Sequence, residues 1–178
     1  MLYMAVKNVA WGYLFLHLHF NIGTLDLIPD WVGYLLILAA LPVLAGEVRT
    51  ASLLPPLAVG LAVWEGLKWL LNLFGGAPEL PLLTLLATVI ALYFHFQLLT
   101  DIAVVADLHG YPKAKRIRTL RTVQTVVITA FALPLGWESW EYGAIILMIV
   151  GLIATFWICA VLFSLSCWLK QNLPPDGQ

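Results

Sequence analysis

Residues 143–168 contain no charged side chain. A helix needs about 20 apolar residues to cross the hydrocarbon core of a bilayer, so this one stretch restricts the chain to membrane architectures. The composition agrees. Hydrophobic residues make up 62% of 178 positions and charged residues 11%, more apolar surface than a soluble domain of this size buries. The expected fold class is all-α, a polytopic transmembrane helical bundle.

Six segments qualify as helices. Residues 53–74 and 143–168 are long and apolar, and residues 80–107 are longer than a span needs. The last turns of that third segment are expected to emerge into the cytoplasm, with Asp101 near the interface. Residues 4–20, 31–46 and 122–137 are shorter, interrupted by Lys7 and Asn8, by Pro42 and by Pro134. Counting all six as spanning is one reading; a re-entrant N-terminal hairpin followed by four spans is the other. No cleavage site follows the first apolar run, which reads as a retained helix. Residues 1–170 form one transmembrane domain on this reading, and residues 171–178, with Pro174, Pro175 and Gly177, form a disordered cytoplasmic tail.

Charge orients the bundle. Lys113, Lys115, Arg116, Arg118 and Arg121 crowd one window between the fourth and fifth helices. Positive loops stay cytoplasmic. With this window inside, Lys7, Arg49 and Lys170 also fall inside, and Asp26, Asp30, Glu79, Glu138 and Glu141 fall outside. Both termini are then cytoplasmic. Trp31, Tyr34, Trp137, Trp140, Tyr142 and Trp168 lie near segment ends, as interfacial aromatic belts do. The formal net charge of −1 argues against a nucleic-acid partner. Cys159 and Cys167, eight residues apart on one helix, read as unpaired hydrophobes.

The polar residues within the oil are few. Residues 21–34 read NIGTLDLIPDWVGY. A capped turn between two short helices accounts for Gly23, Pro29 and the acidic Asp26 and Asp30; an outer ligand loop is the functional alternative, with His17 and His19 holding a cation beside the two acids. The two histidines are about 200° apart around a helix, which opposes that geometry. The pattern Asp26, Pro29, Asp30, Gly33, Tyr34 and Leu36 resembles the N-terminal hairpin of uncharacterised small multi-pass bacterial inner-membrane proteins. The resemblance implies a bacterial cytoplasmic membrane location and carries no activity.

Glu65, Lys68 and Asn72 share one helix face at i, i+3, i+7. A lone mid-bilayer charge costs about 2.5–3.5 kcal/mol on insertion scales, so Glu65 and Lys68 are expected to offset one another and face inward. They form either a binding site or an ion pair that locks packing. His95 lies near mid-helix, where pairing with Glu65 is expected. The stripes Thr84, Thr88 and Thr122, Thr125, Thr129 suggest interhelical hydrogen bonds, and Gly151, Thr155, Cys159 a packing ridge. No Walker loop, nucleophile elbow or HExxH pair occurs. No metal ligands or catalytic residues are assigned. The cofactor is left open; a haem would want His17 or His19 opposed to His95.

Three function classes survive. The first is small-solute binding or transport, with Glu65, Lys68, Asn72, His95, Asp26 and Asp30 as the substrate-binding residues. Its size, six spans and cytoplasmic N-terminus resemble the substrate-binding subunits of energy-coupling-factor vitamin transporters. The small-residue patch those subunits carry on helix one is represented here only by Asn8 and Gly12. The second is a non-catalytic regulatory or assembly subunit whose basic loop meets a membrane-protein partner or anionic lipid. The third, a membrane-embedded hydrolase or transferase, lacks an identifiable nucleophile. The bilayer, a small-molecule ligand and a membrane-protein partner are the expected partners.

Overall fold

A computed structural model describes residues 1–17, 21–22, 25–26, 29–74, 76, 80–133 and 142–173, with backbone alone at 21–22, 25–26 and 144. Six α-helices follow one another: α1 (Leu2–His17), α2 (Asp30–Glu47), α3 (Pro55–Leu73), α4 (Pro81–Leu108), α5 (Ala114–Ala132) and α6 (Gly143–Asn172). Three of them, α2, α4 and α6, are long and apolar enough to cross a membrane. Between α1 and α2, strands β1 (Asn21–Ile22) and β2 (Leu25–Asp26) pair antiparallel, Asn21 opposite Asp26. Residues 23–24, where the sequence places the turn, lie outside the described residues.

Prolines mark the helix starts for a local reason. Pro55 and Pro81 stand at the first helical positions of α3 and α4, where the missing amide proton has no intrahelical acceptor to lose. Pro29 instead caps α2, with Asp30 in the first turn. Pro42 interrupts the apolar pattern but not the helix, which continues to Glu47.

Sequence neighbours pack side by side, and α6 closes the bundle against α1. α1 is the most enclosed element: Val6, Val9, Ala10 and Tyr13, at helical spacing, are all fully buried. It crosses α2 at two glycines. A methyl group added to Gly12 would lie 2.7 Å from the Gly33 carbonyl oxygen, and one on Gly33 2.8 Å from that of Gly12. Gly12 is therefore packed inside the fold, against Gly33 and Ile37.

The core thins along the bundle. α4 is buried around Leu98, Leu99, Ile102 and Ala106, whereas Leu82, Leu85, Leu86 and Val89 are exposed. α6 shows the same gradient, from exposed Ile145, Ile146 and Ile149 to buried Leu162, Leu165 and Leu169. In a bilayer these exposed apolar faces meet lipid, which has no need to drive them inward.

One end of the bundle is tied by polar contacts. Ser166 Oγ donates to the Tyr3 carbonyl at 2.8 Å, Tyr111 Oη donates to Ser164 at 2.9 Å, and His109 meets Glu47 at 3.2 Å. Lys113, Arg49 and Lys170 belong to the segments that meet at this end.

The fifth helix begins earlier than expected. Gly110, at φ 75°, adopts the left-handed conformation that ends α4, and the Tyr111 amide donates to the Ala106 carbonyl at 2.8 Å. The chain reverses at once, so Lys115, Arg116, Arg118 and Arg121 lie on α5 and not in a loop. Arg118 pairs with Asp107. Asp101, expected near the interface, is 1% exposed and accepts from Thr50 at 2.5 Å and Gln97 at 2.8 Å. The threonine stripes also differ from expectation: Thr88, Thr122 and Thr125 donate to carbonyls one turn back in their own helices. The helix-six ridge does pack, with Thr155 and Cys159 buried and Gly151 against Val127. Cys159 and Cys167 are both free thiols. α6 continues through Asn172, two residues into the stretch assigned to the tail; residues 174–178 lie outside the described ones.

Candidate functional site

His95 stands one residue after Phe94, where α4 turns from exposed to buried, and it is 7% exposed. Its Nδ1 lies 3.1 Å from the Tyr13 hydroxyl and its Nε2 3.4 Å from that of Tyr34. A neutral imidazole has one donor and one acceptor nitrogen, so one phenol donates to the ring and the other accepts from it. Three helices, α1, α2 and α4, thus meet on one side chain. Phe94 covers the cluster edge-on at 5.4 Å.

The cluster extends through α1. His17 follows Tyr13 by one turn and stacks on it, with ring centroids 5.9 Å apart. His17 Nδ1 is 2.9 Å from the Tyr13 carbonyl. A carbonyl only accepts, so Nδ1 carries the proton; in the neutral ring this leaves Nε2 as an acceptor, and the Gln124 amide donates to it at 3.3 Å. Gln124 is 5% exposed, and its Oε1 is buried with no hydrogen-bond partner among the described residues. Beside it lies a cavity of about 330 Å³ lined by His17, Gln124 and Thr155 among apolar side chains that include Val127, Met148 and Leu152. An unsatisfied buried acceptor costs about 1–3 kcal/mol.

On the other side, Tyr34 faces α3. The carboxylates of Glu65 and Asp30 lie within electrostatic range of its hydroxyl. Glu65 pairs with Lys68 at 2.6 Å; both are partly exposed, 20% and 39%. Asn72 is exposed a turn beyond. Asp30, Glu65 and His95 therefore lie near Tyr34, and Lys68 joins them only through its pair with Glu65, while the side chain of Asp26 lies outside the described residues. The expected Glu65–His95 pair is not formed: His95 meets the hydroxyls of Tyr13 and Tyr34, and Glu65 pairs with Lys68.

Other readings change as well. Tyr34, taken for a belt residue, is 5% exposed and belongs to the cluster. His17 turns toward Tyr13 and Gln124; His19 is not among the described residues, and no group of three potential metal ligands occurs among those that are. Both nitrogens of His95 are engaged by phenols, which leaves neither for an axial haem bond.

Sequence reasoning missed Tyr13, Gln124 and Thr155. The i, i+4 spacing of Tyr13 and His17 was the available signal, hidden by pairing His17 with His19. Gln124 showed only as one amide in an apolar stretch.

No family model, curated protein or solved structure matches this chain. The site stands on its own geometry.

Proposed function

We propose that this is a multi-pass protein of the bacterial cytoplasmic membrane, with six spans and both termini inside, that binds or transports a small polar solute. The pocket is the cavity at His17, Gln124 and Thr155. The observation that carries the reading is the unpartnered Gln124 oxygen buried beside a cavity large enough for a small molecule. From it a polar track crosses the bundle through His17, Tyr13, His95 and Tyr34 to the Glu65–Lys68 pair. The meeting of basic segments at one end supports the orientation. An impermeant thiol reagent should label Thr24→Cys from outside in a cysteine-free background; protection there would remove the six-span arrangement.

Thermal-shift screening of the detergent-purified protein with small solutes rich in N–H and O–H donors tests the pocket. A stabilising solute should lose its effect in Gln124→Leu and Thr155→Val. Gln124→Leu removes the orphan oxygen together with the donor to His17 Nε2, so its melting temperature without solute is measured first as the check on folding. Solute binding that survives both substitutions would disprove this site.

A second reading, a non-catalytic assembly or regulatory subunit, is favoured by one observation: Glu65 and Lys68 satisfy each other at 2.6 Å. Glu65→Leu with Lys68→Leu should then leave expression, stability and every measured activity intact. Failure to recover a stable membrane partner by affinity capture would count against that reading.

A further inference from the structure

α5 and α6 do not close along their whole length. They touch where a methyl on Gly151 would lie 3.1 Å from Val127. A separate crevice of about 570 Å³ opens between them, lined by Lys115, Arg116, Thr119 and Val123 from α5 and by Ala154 and Trp157 from α6. It shares no lining residue with the cavity at Gln124.

Its charge is unbalanced. Arg118 pairs with Asp107, and Arg121 donates to Thr100 at 2.8 Å and lies over the Phe96 ring at 4.3 Å. Lys115 and Arg116 have no ion-pair partner among the described residues. Neither α5 nor α6 contains an acidic residue. Two cations therefore stand beside an apolar wall that holds no counter-charge, on a helix flanked by one long and apolar enough to cross a membrane.

We infer that this crevice holds an anionic phospholipid. Lys115 and Arg116 receive the phosphate, Arg116 through its planar fork, and an acyl chain lies along Val123, Ala154 and Trp157. A soluble anion would satisfy the charges and leave the trough empty. A zwitterionic lipid would fill the trough but bring its own cation. Basic clefts between membrane helices at the cytoplasmic side recognise anionic headgroups by this combination. Two basic side chains correspond to a preference of the order of 30-fold for the anionic lipid.

The full-length protein in a neutral detergent tests this, with phosphatidylglycerol, phosphatidylcholine of the same chains, and inorganic phosphate as probes. Phosphatidylglycerol near saturation should raise the melting temperature by roughly 5–10 °C, with phosphatidylcholine far weaker and phosphate inert. The double variant Lys115→Gln with Arg116→Gln should lose the difference between the two lipids. Both side chains are exposed, so the variant keeps its core. Arg118→Gln should retain the difference. Brominated phosphatidylglycerol should quench tryptophan emission more than the brominated choline lipid, and Trp157→Phe should abolish that excess. Equal responses to the two lipids, an unchanged preference in the double variant, or a full shift from phosphate alone would each overturn the assignment. Solute binding at Gln124 has a separate readout, so either site can fail alone.

Discussion

Gly33→Ala is the sharpest perturbation of this fold. The new methyl would lie 2.7 Å from Leu16 Cγ and 2.8 Å from the Gly12 carbonyl oxygen. Comfortable contacts between carbon atoms begin near about 3.5 Å, so the α1–α2 crossing must open by several tenths of an ångström. A side chain can rotate away, but a helix carbonyl cannot. Overpacking of this kind costs about 1–3 kcal/mol, and the helix-propensity gain of alanine over glycine offsets up to about 1 kcal/mol. The expected net loss is about 1–2 kcal/mol, roughly 2–8 °C in melting temperature for a chain of this size. Gly12→Ala meets Ile37 Cγ1 at 2.6 Å and the Gly33 oxygen at 2.7 Å, so it should behave alike. The two lesions strain one contact; after the first methyl separates the helices, the second costs less, and the double variant should lose less than the sum. Gly60→Ala and Gly46→Ala are the controls, since both are helical and a methyl there meets nothing within 4 Å. They should be neutral or stabilising by up to about 1 kcal/mol. Unfolding followed by tryptophan emission in mixed micelles measures the five variants against the unsubstituted protein. If Gly33→Ala matches Gly60→Ala, the close crossing is not a feature of the folded protein.

Tyr34→Phe should cost about 1–3 kcal/mol by leaving His95 Nε2 unsatisfied, and His95→Phe with Tyr34→Phe should cost less than the sum in a double-mutant cycle. Thr50→Val removes a donor to buried Asp101 and should lower stability by about 1–3 kcal/mol; in an Asp101→Leu background the same substitution should have little effect. Glu65→Gln should weaken the hold on Lys68 by no more than about 1 kcal/mol, since the pair is partly exposed, and unfolding in mixed micelles reads it directly.

The helices were legible because hydrophobic runs and prolines are local signals. Five of six helices begin and end within about four residues of where composition places them. The exception is α5. Its first turns carry four basic residues, and a rule built on apolar runs reads such turns as loop. The rule works on composition, while helix formation there follows from the tight reversal at Gly110. Glu65 and Lys68 were legible as a pair because i, i+3 spacing is a property of one helix. The Tyr13–His95–Tyr34 cluster was not, since its members come from three helices separated by up to 82 positions.

The amino-acid sequence alone determines the solvent of this protein, the rough extent of its helices and which segments carry positive charge. Those properties sum over neighbouring residues and survive any arrangement of the helices. The tertiary structure decided which polar atoms face each other. It turned Tyr34 inward, separated Glu65 from His95, seated Asp101 on Thr50, and left Gln124 beside a cavity and Lys115 beside a crevice. Such outcomes depend on helix rotation and on how closely two backbones approach, and at Gly12 and Gly33 that approach is set by the absence of a single methyl group on each side.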